Sequence, residues 1–182
     1  DTSSTTSGRS GSAARAASTR SASARPVGSI VAVAPSRVAS ARRGATGSIA
    51  GQLAKAAGAR VVGLAGSDEK CTAVVDDFGF DACINYRTAD LRAALKEQCP
   101  DRIDVYFDNV GGPILDAALG RLAMNARVVL CGVISSYVSG EHPGPANYVK
   151  LLAMRARMEG FNTLDHWGRF DEANAELRRL FD

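Results

Sequence analysis

Apolar positions along this chain keep two rhythms that alternate from residue 44 onward. In "GSIAGQLAKAAG" they fall at Ile49, Leu53, Ala56 and Ala57, a helical spacing, and Gly58 suits the helix stop. "RVVGLA" (60–65) is a short unbroken apolar run, as a buried strand requires. "SDEKCTAVVDDFG" predicts a helix, with Ser67 as N-cap and Asp68 and Glu69 in its first turn. "DACINY" (81–86) reads as a strand, and "TADLRAALKEQ" as a helix capped by Thr88. "IDVYFDNVGG" is a strand running into a turn, and "PILDAALGRL" a helix with Pro113 at its first position. Beyond it come a strand "ARVVLCGVI", a helix "NYVKLLAMRA", a strand "RMEGFNT" and a helix "DEANAELRRLF".

Strands therefore alternate with helices, and their apolar runs are continuous. Buried parallel strands covered by helices on both faces give that pattern. The predicted fold is α/β, a doubly wound parallel sheet of Rossmann-like type over residues 44–182. Ligand sites in such sheets lie beyond the carboxyl ends of the strands.

Composition changes the picture only at the front. Residues 1–25 are Ser, Thr, Ala, Arg and Gly with no large apolar side chain. Such a segment buries too little surface to offset its chain entropy, so it is expected to be disordered. Its chemistry is open between an organelle transit peptide, a linker, a fusion scar and a misread frame. Residues 26–43 form an uncertain junction in which "GSIVAVAP" (28–35) has the makings of a short strand. Residues 1–43 hold seven Arg against one Asp, so the net charge of +3 comes from the front and not from the folded part. The basic balance therefore carries no nucleic-acid expectation. No apolar run approaches the length of a membrane span. Cys71, Cys83, Cys99 and Cys131 show no zinc-ligand spacing, so no metal is expected and a reducing, cytoplasmic setting is.

One motif carries chemistry. Gly44, Gly47 and Gly51 space like the later glycines of a dinucleotide-binding loop, ahead of a helix whose free N–H groups would face phosphates. The first glycine of that fingerprint falls on Arg42, and Arg43 follows it, where tiny residues belong. A ribose-binding acid is expected at the end of the next strand. That end is Ala65-Gly66, with no carboxylate; Gly66 and Ser67 open space and Lys70 lies one turn on. An open pocket flanked by a cation suits a 2′-phosphate, hence NADP. Asp68 reads as a first-turn helix charge.

With these residues in place, the segments "GATGSIAGQLAKAAGARVVGLAGSDEK", "GFDACINY", "DVYFDNVGG", "VVLCGVISSY", "PGPANY" and "RMEGF" resemble one family in order. It is the nucleotide-binding domain of zinc-independent medium-chain dehydrogenase/reductases, in the NADP-dependent alkenal/enone reductase branch that includes leukotriene B4 dehydrogenase/prostaglandin reductase. The resemblance implies that Gly44, Ala45, Thr46 and Gly47 wrap the pyrophosphate, and that Lys70 and Tyr86 contact the 2′-phosphate. It places Asn109 beside the cofactor, Cys131, Gly132, Ile134, Ser135 and Tyr137 along the nicotinamide half, and a strand through Phe161, Asn162 and Thr163 over it. Taken singly, Tyr86 reads equally as a strand aromatic, Asn109 as a turn former and Cys131 as a core filler. Tyr137 is the candidate proton donor, with a wall of the site as its alternative.

The implied activity is hydride transfer from NADPH to the C=C bond of an α,β-unsaturated aldehyde or ketone. Quinone reduction in the same superfamily and an inactive nucleotide-binding fragment stay open beside it. The expected partner is a small-molecule enone, alkenal or quinone, with no nucleic acid or membrane, and a homodimer at full length. Two departures stand out. The GroES-like catalytic lobe of the family is missing ahead of Gly44, and the sequence stops before the return to it, so the domain is read as truncated. The strand that feeds the glycine loop is expected to be replaced by "SRVASARRG".

Overall fold

A computed structural model describes residues 29–33, 45–135, 140 and 144–181. The segment expected to be disordered (1–25), Arg42, Arg43, Gly44 and Tyr137 lie outside the described residues.

Six parallel strands form one sheet in the order β3-β2-β1-β4-β5-β6. They are β1 (Ser29–Val33), β2 (Arg60–Ala65), β3 (Ala82–Asn85), β4 (Ile103–Asp108), β5 (Leu122–Leu130) and β6 (Arg157–Gly160). Helices among the described residues include α1 (Ala45–Ala56), α2 (Asp68–Asp76), α3 (Leu91–Gln98), α4 (Gly112–Leu119), α5 (Val149–Met154) and α6 (Phe170–Phe181). This is the doubly wound, Rossmann-like order that the strand–helix alternation predicts.

The first strand falls within "GSIVAVAP", the run that has the makings of a short strand. "SIVAV" takes the central place, pairing in parallel with β2 through Ser29↔Arg60 to Val33↔Leu64 and with β4 through Ile30↔Val105 to Ala32↔Phe107. The sheet thus begins before Gly44, and residues 34–44 separate β1 from α1 where the family pattern implied a strand feeding straight into the glycines. A run of β-branched and small apolar residues is what a strand hydrogen-bonded on both edges requires.

Alternation along β2 divides the core. Val61 joins Ala54, Val74 and Phe80 on the α1–α2 face. Val62 and Leu64 join Leu95, Ile103, Tyr106, Leu119 and Val128 on the face covered by α3 and α4. Successive strand side chains point to opposite faces, so two adjacent valines serve two helix layers. Gly58, at φ +82°, ends α1 as expected.

Three boundaries shift for local reasons. Helix α3 is capped by Asp90 and not Thr88, because one carboxylate oxygen accepts from both Arg92 N (3.0 Å) and Ala93 N (3.2 Å). Strand β5 starts at Leu122, not Ala126, and passes a register shift opposite Ile103/Val105 near Asn125, which sits at φ 62°. Strand β6 ends at Gly160. The Asn162 side chain accepts from Leu164 N at 3.0 Å and starts a 3-10 turn over Thr163–Arg169, so Phe161, Asn162 and Thr163 follow the strand and do not form it.

Gly51 of the glycine series has a packing task. A Cβ there would overlap the buried ring of Phe80. Overpacking of this kind costs about 1–3 kcal/mol. Gly51→Ala is therefore expected to lower stability by about that amount, read as a reduced midpoint in chemical denaturation.

Candidate functional site

Because all strands are parallel, their carboxyl ends share one edge, and the segments that follow β2 to β6 each carry expected residues. After β2, Ser67 sits in extended backbone and caps α2, accepting from Lys70 N at 3.4 Å. Asp68 is engaged by the neighbouring strand end: Asn85 donates to its Oδ1 at 2.7 Å. Gly66 is tightly covered. A Cβ on it would stand 2.8 Å from the Tyr86 hydroxyl and 3.3 Å from Arg87 Nε. The phenol of Tyr86 and the guanidinium of Arg87 thus close on the bare backbone of Gly66. The structure brings Gly66, Ser67, Lys70 and Tyr86 to adjoining strand ends and adds Arg87, which the sequence reading passed over. Its signal was available, a cation directly after Tyr86. The Tyr86 phenol and the Arg87 guanidinium thus bring donors and positive charge to Gly66, while Asp68 is bonded to Asn85.

The second assembly ties the ends of β4 and β5. Cys131 N and Gly132 N donate to Asp108 O at 2.8 and 3.2 Å, Ile134 N to Asn109 O at 3.1 Å, and Ser135 N to Val110 O at 3.0 Å. The Ser135 hydroxyl also donates to Val110 O. Gly132 permits this approach, since a Cβ there would lie 3.1 Å from Asn109 O. Asn109 is buried beside it. Asn109, Cys131, Gly132, Ile134 and Ser135 are therefore one hydrogen-bonded ledge.

Asp108 holds that ledge from below. It is fully buried, and its Oδ1 accepts from Tyr106 Oη at 3.2 Å and from Val110 N and Gly111 N at 3.0 Å each. Its other oxygen, Oδ2, has no hydrogen-bond partner among the described residues. Burial raises its pKa above the ordinary carboxyl value, against the lowering effect of the three donors. Burial, then the neighbouring carboxyl, pushes the Tyr106 phenol well above its usual value.

Thr46, Phe161 and Thr163 meet elsewhere, along a cleft of about 730 Å³ that continues between α1 and α6 past Ile49, Leu53 and Leu177. Phe161 stacks on His166 with ring centres 5.1 Å apart, and its N–H extends the sheet by donating to Leu130 O at 2.9 Å. Asn162 is occupied in capping the 3-10 turn. Ala45 and Gly47 lie in the first turn of α1 with Thr46. Gly44 and Tyr137 fall outside the described residues.

The family model described as "Zinc-binding dehydrogenase" matches residues 45–179. The chain belongs to that family, in its NADP-dependent alkenal/enone reductase branch. It is 46% identical over 129 residues to the NADP-dependent 2-alkenal reductase of Nicotiana tabacum, covering 70% of this chain and 38% of that enzyme. The structure of CurA from Vibrio vulnificus in complex with NADPH superposes with a TM-score of 0.74 at 38% identity, covering 85% of this chain and 46% of that one. The quinone oxidoreductase of Escherichia coli complexed with NADPH gives a TM-score of 0.66 at 25% identity, covering 86% and 45%. The chain thus spans less than half the length of these relatives. The family description names zinc; the branch is the zinc-independent one. Among the described residues, no group of three or more His, Cys, Asp or Glu is placed to hold a metal ion. Among them too, no helix is long and apolar enough to cross a membrane.

The buried carboxyl beneath the ledge sets a pH dependence. An acid whose folded pKa is raised keeps its proton longer folded than unfolded. Its contribution to stability is fully present below the ordinary aspartate range and is lost as pH rises through the raised folded value. Asp108→Asn keeps the acceptor for Val110 N and Gly111 N and is expected to abolish that slope. Asp108→Ala orphans both N–H groups and is expected to cost about 1–3 kcal/mol at every pH. Urea denaturation across a pH series measures both.

Proposed function

We propose that this chain is the NADPH-binding domain of an oxidoreductase that reduces the C=C bond of α,β-unsaturated aldehydes and ketones. The observation that carries the cofactor choice is the end of β2. There Tyr86 and Arg87 close on Gly66, and Asp68 is already bonded to Asn85. A ribose 2′-hydroxyl calls for an acceptor carboxylate, whereas a 2′-phosphate calls for donors and cations. Gly66, Ser67, Lys70, Tyr86 and Arg87 fit the second. A side chain on Gly66 would fill the space beside the phenol, so the cradle is built around bare backbone.

In this reading Gly44 and the first turn of α1, with Ala45, Thr46 and Gly47, hold the pyrophosphate, the helix presenting its free N–H groups. The ledge of Asn109, Cys131, Gly132, Ile134 and Ser135 forms a rigid wall for the nicotinamide half, with Phe161, Asn162 and Thr163 at the adjoining strand end. When bound, NADPH supplies the hydride that enters at the β-carbon of the enone. Tyr137 donates a hydrogen bond to the carbonyl oxygen as negative charge develops there, and the α-carbon then takes up a proton. The ledge needs no reorganisation during the reaction, since its backbone groups are already paired to one another. Similarity to the tobacco 2-alkenal reductase supports the substrate class. Quinone reduction is the second reading, favoured by the shared fold of the Escherichia coli quinone oxidoreductase. At full length, the reading takes the protein as a cytoplasmic homodimer.

Charge-assisted hydrogen bonds contribute roughly 1.5–3 kcal/mol each. Lys70→Ala and Arg87→Ala are each expected to weaken NADPH by about ten- to a hundredfold and to leave NADH nearly unchanged, by calorimetric titration. Equal losses for both nucleotides would remove these residues from the 2′-phosphate. In a full-length protein carrying this chain, Tyr137→Phe is expected to lower kcat toward a simple enone about a hundredfold. An unchanged kcat would reduce Tyr137 to a wall of the site.

A further inference from the structure

We infer that Cys71 and Cys83 are a modification site: a dithiol that closes to a reversible intramolecular disulfide, joining α2 to β3. Their sulfurs stand 2.6 Å apart, with Cys83 donating to Cys71. A covalent S–S bond is about 2.05 Å, so closure asks for about half an ångström of further approach. That is a small further approach for two side chains already in contact.

The surroundings favour this meeting. Cys83 pairs with Gly63 across the β2–β3 ladder and faces the same side of the sheet. A Cβ on Gly63 would lie 3.2 Å from Cys83 Sγ and 2.8 Å from Val74 Cγ1, so the bare backbone leaves the space under α2 in which the sulfurs meet. Both thiols are half-buried, open enough for a small oxidant to reach, whereas Cys99 is fully buried. Burial raises both thiols, and their contact raises Cys83 further while it lowers Cys71, so Cys71 is the entering nucleophile and Cys83 the resolving thiol. Burial holds the Cys71 thiol above its ordinary pKa, partly offset by the hydrogen bond from Cys83. The exchange is accordingly slow, a response to sustained oxidation and not a turnover step.

With glutathione disulfide as oxidant the balance is complete. The Cys71 sulfur, losing its proton, attacks one sulfur of glutathione disulfide, and the first glutathione leaves and takes up a proton. The Cys83 sulfur then loses its proton and attacks Cys71 in the mixed disulfide, and the second glutathione leaves protonated. Two protein thiols are oxidised and one glutathione disulfide is reduced to two glutathiones.

The test is thiol mapping of the full 182-residue chain. The chain is incubated with excess glutathione disulfide, denatured, alkylated with N-ethylmaleimide and examined by intact mass and peptide mass spectrometry. The expected result is the loss of two hydrogens, alkylation of Cys99 and Cys131 alone, and a peptide pair joined through Cys71 and Cys83. Dithiothreitol restores alkylation at all four cysteines. Cys83→Ser removes the resolving thiol, and Cys71 is then expected to keep a stable glutathione adduct. Full alkylation of all four thiols, a lasting adduct on Cys71 in the unaltered chain, or a link through Cys99 or Cys131 would each overturn the inference. The mapping reads sulfur bonding and not nucleotide binding, so its failure and the failure of the NADPH reading are separate results.

Discussion

The sheet is held together by the two-sided pairing of β1. Its backbone hydrogen-bonds to β2 on one edge and to β4 on the other. Without it the molecule would be two separate ladders, β3-β2 and β4-β5-β6. A strand paired on both edges has its backbone polar groups satisfied within the sheet, and in a parallel sheet such strands are apolar. The same pairing makes the site. From β1 the chain winds outward to β2 and β3, and it returns across the sheet to β4. The helices that follow β1 and β4 therefore lie on opposite faces of the sheet, and doubly wound folds take their ligands at the crevice this leaves.

On the two flanks of this centre the chain solves different problems. The β4–β5 side is rigid. Backbone N–H groups from Cys131 to Ser135 are spent on the carbonyls of Asp108 to Val110, and a buried carboxyl clamps the turn beneath. Burying that carboxyl is costly, and its unpaired Oδ2 shows that the cost is not fully offset by protein partners among the described residues. What the arrangement secures is a fixed ledge beside Asn109. The β2–β3 side is polar, with a guanidinium and a phenol closed over a glycine. The pair of cysteines lies at the base of the same β2–β3 side, between the helix that carries Lys70 and the strand that leads to Tyr86.

Much of this was legible along the chain. Continuous apolar runs separated by amphipathic ones suffice for a parallel α/β sheet, because only crossover helices connect parallel strands. Missing acid at Ala65-Gly66, Ser67 as a cap and Lys70 a turn later are local features, and local features survive folding. So does the order of "YFDNVGG" and "CGVISSY", from which the family was recognised and which the family match over residues 45–179 then showed.

Contacts between residues distant in sequence had to wait for the tertiary structure. The run at 28–35 carried the signal of a short strand, but not that Ser29–Val33 takes the centre of the sheet. A five-residue apolar run looks the same at an edge or at the centre, and only pairing decides. Asp90 displaced Thr88 as a cap, and Asn162 ended β6 early, because side-chain hydrogen bonds compete with the rhythm of apolar positions. Arg87 became visible only when the end of β3 was laid beside Gly66. Cys71 and Cys83, twelve positions apart and unremarkable as a spacing, met only when α2 was packed on β3. Sequence by itself determined which segments are strands and helices and what chemistry they carry, since periodicity and residue type act locally. Tertiary structure alone decided which side chains share a space, since that depends on register and crossover, which no local pattern encodes.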